Sequence, residues 1–301
     1  MNSDHEYMDL QQLRYVVEVA ENSSFTRAAE RCFVTQSALS HQIAALEREL
    51  GERLFVRSSR SVRTTEVGEA FLGHARSALA AADRAKEAVM TATGAVAGPL
   101  RLGVIPTVTA VRVPRVLAAF RDAYPAVRVE MEMGNSDTLM RAISEDRLDV
   151  AILGLRDAVV PVGVAYRRLS SERLVAVLHQ DHPLAGRKRL RLEDLEGAVF
   201  ADFPRGTSGR AQSDVAFAAV GVERDVAYEV DSASLMLDLV AEGLASALLA
   251  PGVVDPARPG ISTVTVVDGP RRIEYVAWEQ ESPRRVATAF LELLEATASA
   301  E

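Results

Sequence analysis

Cysteine is nearly missing from this chain. Cys32 is the only one in 301 residues, so no intrachain disulfide can form, and on the apolar face of a helix it reads as a small buried hydrophobe. Long apolar runs are missing too: none approaches the roughly 20 residues that a membrane span needs. The opening MNSDHEYMD is acidic and polar, without the pattern of a signal peptide. These absences predict a cytoplasmic protein that does not enter membranes. There is no glycine-rich phosphate loop, no Cys–His pair and no GxSxG. His179, Asp181 and His182 in HQDHP would need a helix to act as a metal set, whereas the run LVAVLHQ reads as extended and Pro183 follows. A turn at a strand end is expected there. No cofactor, no metal and no enzymatic activity are therefore expected. Positive charge is also short overall, with a net charge of −8, which at first argues against nucleic acid. Where the charges lie matters more than their sum.

What is present begins with ordinary globular composition, 48% hydrophobic and 25% charged, in a length that predicts two or three domains. Leu10, Leu13, Val16, Val17 and Ala20 predict an amphipathic helix over about 9–21. Phe25, Ala28, Ala29 and Cys32 recur at helical spacing behind Ser23 or Ser24 as N-cap. A further helix starts after Thr35, with Leu39, Ile43, Leu46 and Leu50 as its buried stripe and Gly51 as its stop. This spacing leaves Gln36, Ser37, Ser40 and His41 on the polar shoulder at the helix's N-terminal end, a set that suits base edges in a major groove. Ser24 and Thr26 join it as candidate contacts at the start of the preceding helix. The ribbon LFVRSSRSVRTT follows. Arg53 just before it and Arg57, Arg60 and Arg63 within it have no acid among them up to Thr65, as a strand pair straddling phosphates would need. The spacing of the hairpin alone also fits a plain packing unit with solvated arginines.

From Met8 to about Leu72 the sequence resembles the winged helix-turn-helix of the LysR-type transcriptional regulators, almost residue for residue. Ser37 is a departure, since that family often has proline there. The resemblance implies a DNA-binding domain over residues 1–65 and double-stranded DNA as partner, at an interrupted palindromic site. The segment 66–93 lacks proline and is rich in alanine. It predicts a helix of about 40 Å, with Val67, Phe71, Ala75, Ala78, Ala82, Ala85 and Val89 as a seam for another helix; an internal packing helix is the other reading. In the family this helix is the dimerisation linker, which implies a homodimer or homotetramer. His74 reads as a polar surface or interface residue.

Residues 94–98, small and glycine-rich, predict a hinge. Beyond it LRLGVI, VRVEMEM and DVAILG alternate with two helical runs, a βαβαβ unit with a parallel sheet. A second unit of the same texture follows, and RIEYVAW with the last helix returns to the first. The expected architecture is α+β and multidomain: a winged helix-turn-helix, a long linker helix and a two-lobed α/β effector domain over 99–301. Its first lobe would comprise about 99–167 and 267–301, its second about 168–266. AFRDAYPAVRVEMEMGNSDTLMRAISEDRLDVAILG and HPLAGRKRLRLEDLEG are similar to the family's effector domain, which is periplasmic-binding-protein-like.

In two such lobes a ligand sits in the cleft, outside the strand ends and against helix N-termini. Each expected helix start carries a hydroxyl: Thr107 and Thr109, Ser136, Thr207 and Ser208, Ser232 and Ser234. Converging N-termini would suit a small anion such as a carboxylate, although serine and threonine are also simply good caps. Thr107 and Ser136 best match the positions where the family places effector contacts; Val108, Thr109, Phe203, Arg205, Thr207, Ser208 and Ser232 complete the expected set. The resemblance also implies contact with RNA polymerase if the protein activates. A peroxide sensor of this family uses two cysteines in its effector domain, and this one has none. Two rivals remain open at this point: a clamshell solute-binding protein or enzyme with a non-DNA interaction module, and an effector-free repressor.

Overall fold

Asp9 starts the first helix by a reciprocal cap: its carboxylate accepts from the Gln12 amide at 2.7 Å, and the Gln12 side chain accepts from the Asp9 amide at 3.1 Å. The computed structural model describes residues 8–57, 61–91, 96 and 98–298. It divides into two units, Met1–Ala95 with Glu145–Arg147 and Val96–Ser144 with Leu148–Glu301.

In the first unit, α1 (Leu10–Asn22), α2 (Phe25–Arg31) and α3 (Gln36–Leu50) surround one core. Val16, Val19, Leu39, Ile43 and Leu46 are wholly buried in it, with Ala28, Leu54 and Phe55. Ser24 and Thr35 cap α2 and α3, and Gly51 ends α3 at φ 73°. Leu50 corrects the expected stripe. It is 40% exposed, because the core ends one turn before the helix does. In the turn between α2 and α3, Phe33 takes a left-handed φ of 56° and is almost fully exposed.

The wing is an antiparallel pair, β1 (Phe55–Arg57) and β2 (Val62–Thr64), with Phe55 opposite Thr64. Its tip, Arg60 included, lies outside the described residues. Helix α4 (Glu66–Thr91) follows. Its first turns pack within the protomer: Leu72 enters the core and Ala75 is buried, in contact with α1. The seam expected from Val67 to Val89 is therefore only partly open. Val67 and Ala85 are exposed, Ala75 is covered, and the side chain of Val89 lies outside the described residues. Gly68 lets α4 approach the wing, since a Cβ there would sit 2.2 Å from the Leu54 carbonyl oxygen. Gly68→Ala should destabilise this unit by roughly 1–3 kcal/mol. Urea unfolding checks this, and an unchanged midpoint would mean that the wing base yields freely. Of the hinge expected at 94–98, only Val96 and Gly98 are described.

The second unit starts with β3 (Leu100–Val104), α5 (Val113–Ala123), β4 (Val129–Met133), α6 (Ser136–Ser144), β5 (Val150–Arg156) and β6 (Ala165–Arg173). The chain then forms β7 (Val175–His179), β8 (Arg189–Leu190), β9 (Val199–Asp202), α7 (Ser208–Ala219), β10 (Asp225–Glu229), α8 (Ala233–Ala241), β11 (Ala247–Leu249) and β12 (Ile261–Val266). It closes with β13 (Arg271–Trp278) and α9 (Arg285–Ala298). One sheet has the order β4-β3-β5-β13-β6. Only β4, β3 and β5 pair in parallel; β13 runs antiparallel to both β5 and β6. The sheet is thus mixed, not parallel as expected, because the returning strand is inserted between β5 and β6.

The lobe boundary moves as well. β6 stays in the first sheet up to Arg173, so the chain crosses at Leu174 and not near 168. There the Leu174 amide donates to the Pro270 carbonyl at 3.0 Å, tying the two crossing strands together. The second lobe holds the β11-β7-β12-β8 sheet and the parallel pair β9-β10. Each lobe has its own core: Phe120 and Phe290 meet edge to face in the first, Phe200 and Phe217 in the second.

Candidate nucleic-acid interface and ligand cleft

The N-terminal end of α3 leaves its polar shoulder outside the core. Gln36, Ser37 and His41 are exposed and Ser40 half-buried, while Leu39 and Ile43 face inward. Thr35 Oγ1 accepts from the Ala38 amide at 3.3 Å and lies 3.1 Å from Ser37 Oγ. No acid occupies the first turn of α3, although the partial positive charge there favours one. That end can take an external anion.

Arg57 is not a loose cation. Its guanidinium carbon lies 3.8 Å from the centroid of the Phe25 ring, and Nη1 donates to Ser40 Oγ at 2.8 Å. It joins the wing to α2 and α3, a link between distant residues that composition could not disclose. Arg53 and Arg63 are exposed; Arg53 also lends its carbonyl to the Thr65 hydroxyl at 2.7 Å. Ser24 Oγ is used as the α2 cap, accepting from the Arg27 amide at 3.3 Å, and Thr26 is exposed beside it.

The cleft in the second unit has a volume of about 360 Å³ and is lined from both lobes, within the size range of small-molecule sites. Of the expected contacts, Thr107, Ser136, Phe203 and Thr207 line it; Val108, Thr109, Arg205, Ser208 and Ser232 do not. Two of the expected helix starts are corrected. α5 begins at Val113, with Arg112 at the cap position and Pro114 in the first turn, so neither Thr107 nor Thr109 caps it. α6 is capped by Asn135, whose Oδ1 accepts from the Thr138 amide at 3.0 Å. Ser136 is instead buried and locked to β5, donating to the Gly154 carbonyl at 2.9 Å and accepting from its amide at 3.0 Å. Thr207 and Ser232 cap α7 and α8. Arg205 points to solvent, its side chain 82% exposed.

Sequence reasoning missed the pair beneath the cleft. Arg272 and Glu274 lie two apart on β13, hence on one face of it, and both are buried in an ion pair. Arg272 Nη1 also donates to Thr107 Oγ1 at 2.6 Å. Glu274 accepts from the amides of Thr109 and Ala110, each at 3.0 Å. Burial pushes the Arg272 guanidinium below its ordinary pKa, with Glu274 and Glu172 pulling it back up. Two charges at i and i+2 in the otherwise apolar RIEYVAW were the available signal. His179 and His182 lie at the end of β7, where each Nδ1 accepts from a backbone amide at 3.2 Å.

Residues 10–69 match the family described as bacterial regulatory helix-turn-helix protein, lysR family, and residues 93–299 match the LysR substrate binding domain. The chain belongs to the LysR family of transcriptional regulators. It is 32% identical to the HTH-type transcriptional regulator BudR of Raoultella terrigena, over 95% of this chain and 100% of that one. It is 31% identical to the transcriptional dual regulator GltC of Bacillus subtilis, over 88% of each. Among solved structures, a full-length, singly substituted OxyR of Pseudomonas aeruginosa superposes with a TM-score of 0.75 at 27% identity, covering 97% of this chain and 96% of that one. Full-length CbnR, complexed with its target DNA, gives 0.67 at 26% identity, covering 96% and 100%.

This LysR-type regulator thus combines a DNA-binding head with an effector-binding domain. Its relatives are transcriptional regulators. Among the described residues no helix is long and apolar enough to cross a membrane. With Cys32 as the one cysteine, no disulfide can form within this chain, whatever its likeness to OxyR.

Proposed function

We propose that the protein acts in the cytoplasm as a homodimer or dimer of dimers. It sets two winged heads on an interrupted palindrome and changes their spacing when a small molecule enters the cleft. Gln36, Ser37, Ser40 and His41 face base edges, Arg53 and Arg63 hold phosphates, and Arg57 braces the wing against α3. The reading rests above all on one observation: an exposed, acid-free N-terminus of α3 is joined to the wing by Arg57. The CbnR structure with its target DNA supports it by similarity. The exposed parts of the α4 seam are where a second protomer's helix packs. The assignment includes no catalytic step. An activating form would in addition touch RNA polymerase.

Fluorescence anisotropy with the DNA upstream of its own gene tests this reading. Arg53→Ala and Arg63→Ala should each weaken binding about equally on all sequences and lower the salt slope by about 1. Binding that shows no preference over random duplex, or slopes unchanged in both variants, would overturn it.

A further inference from the structure

Among the described residues, the one cation in the cleft wall and several amides around the cleft that could attract an anion are held by the protein's own carboxylates. Glu274, 1% exposed, pairs with Arg272 and occupies the Thr109 and Ala110 amides. At the start of α7, Asp137 Oδ2 accepts from the Ser208 amide at 3.2 Å and from its hydroxyl at 2.7 Å. The next candidate, the Arg205 amide, donates to Glu229 at 3.1 Å. A carboxylate entering the cleft would meet one cation among the described residues of its wall, Arg272, which is already paired with Glu274 and whose one unpartnered nitrogen, Nε, is sealed from solvent. It would also meet Asp231, which lines the wall without a partner among those residues.

One polar group points the other way. Gln212 on α7 lines the cleft and is 7% exposed, and its carboxamide has no hydrogen-bond partner among the described residues. Its carboxamide atoms are not sealed from solvent, so a molecule in the cleft can reach them. The carboxamide offers both a donor and an acceptor, and Ile105, Pro106, Met133 and Phe203 give the cavity an apolar wall. We propose that the ligand is an uncharged, mostly apolar molecule whose carboxamide- or hydroxyl-type head bonds to Gln212, and that carboxylates are excluded. This rests on the reading of the cleft as the effector site.

The test uses the full chain and matched probes on three skeletons: butanoate, butanamide and 1-butanol; hexanoate, hexanamide and 1-hexanol; phenylacetate, phenylacetamide and 2-phenylethanol. Binding is followed by thermal shift and calorimetry. On any skeleton that binds, the amide or alcohol should bind at least about 10-fold more tightly than the acid. Gln212→Leu should weaken that binding by about 10-fold, the loss of one desolvated hydrogen bond. Gln212→Glu, which removes the amide donor and adds a charge, is the second variant should the leucine form fail to fold. An acid that binds more tightly than its amide overturns the proposal and leaves the effector cleft standing, as does amide binding that neither variant weakens. Silence of all nine probes overturns both.

Discussion

Gln36→Glu should abolish specific DNA binding while leaving the protein as stable as before, or slightly more so. Gln36 is the first residue of α3, in a turn that contains no acid. A carboxylate there interacts favourably with the helix dipole, worth about 0.3–1 kcal/mol. Stability and DNA affinity are thus driven in opposite directions by one substitution. Against phosphates and base acceptors the same charge costs several kcal/mol, so at fixed salt affinity should fall at least about 100-fold, or roughly 2.7 kcal/mol. Gln36→Ala supplies the control: it removes one base contact and should cost about 1–3 kcal/mol of discrimination. Anisotropy and thermal unfolding on the same samples separate the two effects. Operator binding by the glutamate variant at the level of the parent would remove α3 from the interface.

Arg272→Met should destabilise the second unit by about 3–5 kcal/mol, because Glu274 would stay buried without its countercharge. The Thr109 and Ala110 amides still donate to it, but dipoles do not replace a full charge in a desolvated site. Thr107 loses the guanidinium contact at 2.6 Å as well. The double variant Arg272→Met with Glu274→Gln should recover most of the loss, since a neutral pair leaves no charge stranded. Urea unfolding of the full chain measures both. A single variant within about 1 kcal/mol of the parent would mean that the pair is wet and that Arg272 is free to greet a ligand.

The head was legible because its signals are local. Caps at Asp9, Ser24 and Thr35, a stop at Gly51 and an apolar repeat through Leu39, Ile43 and Leu46 act within one or two helical turns. Leu50 misled because a helical repeat does not say where the core it faces ends. The cleft was legible only in outline. Thr109 sits four residues before α5, and Ser136 is the first residue of α6. A hydroxyl near a helix start therefore did not mean a hydroxyl free for a ligand. Arg57 read as a phosphate contact because nothing in its neighbourhood along the chain announces Phe25.

Alone, the amino-acid order determined roughly where the helices and most of the strands lie, that α3 carries a polar shoulder its core does not use, and that one thiol permits no internal bridge. Periodicity and capping are properties of neighbours in the chain, so they survive without coordinates. Only the folded form decided that β13 enters between β5 and β6, and so that Arg272 and Glu274 are sealed together beneath the cleft. It likewise decided that Asp137 occupies the start of α7 while Gln212 is left without a partner among the described residues. Charge pairing and desolvation depend on distance through space, and a linear chain does not contain that distance.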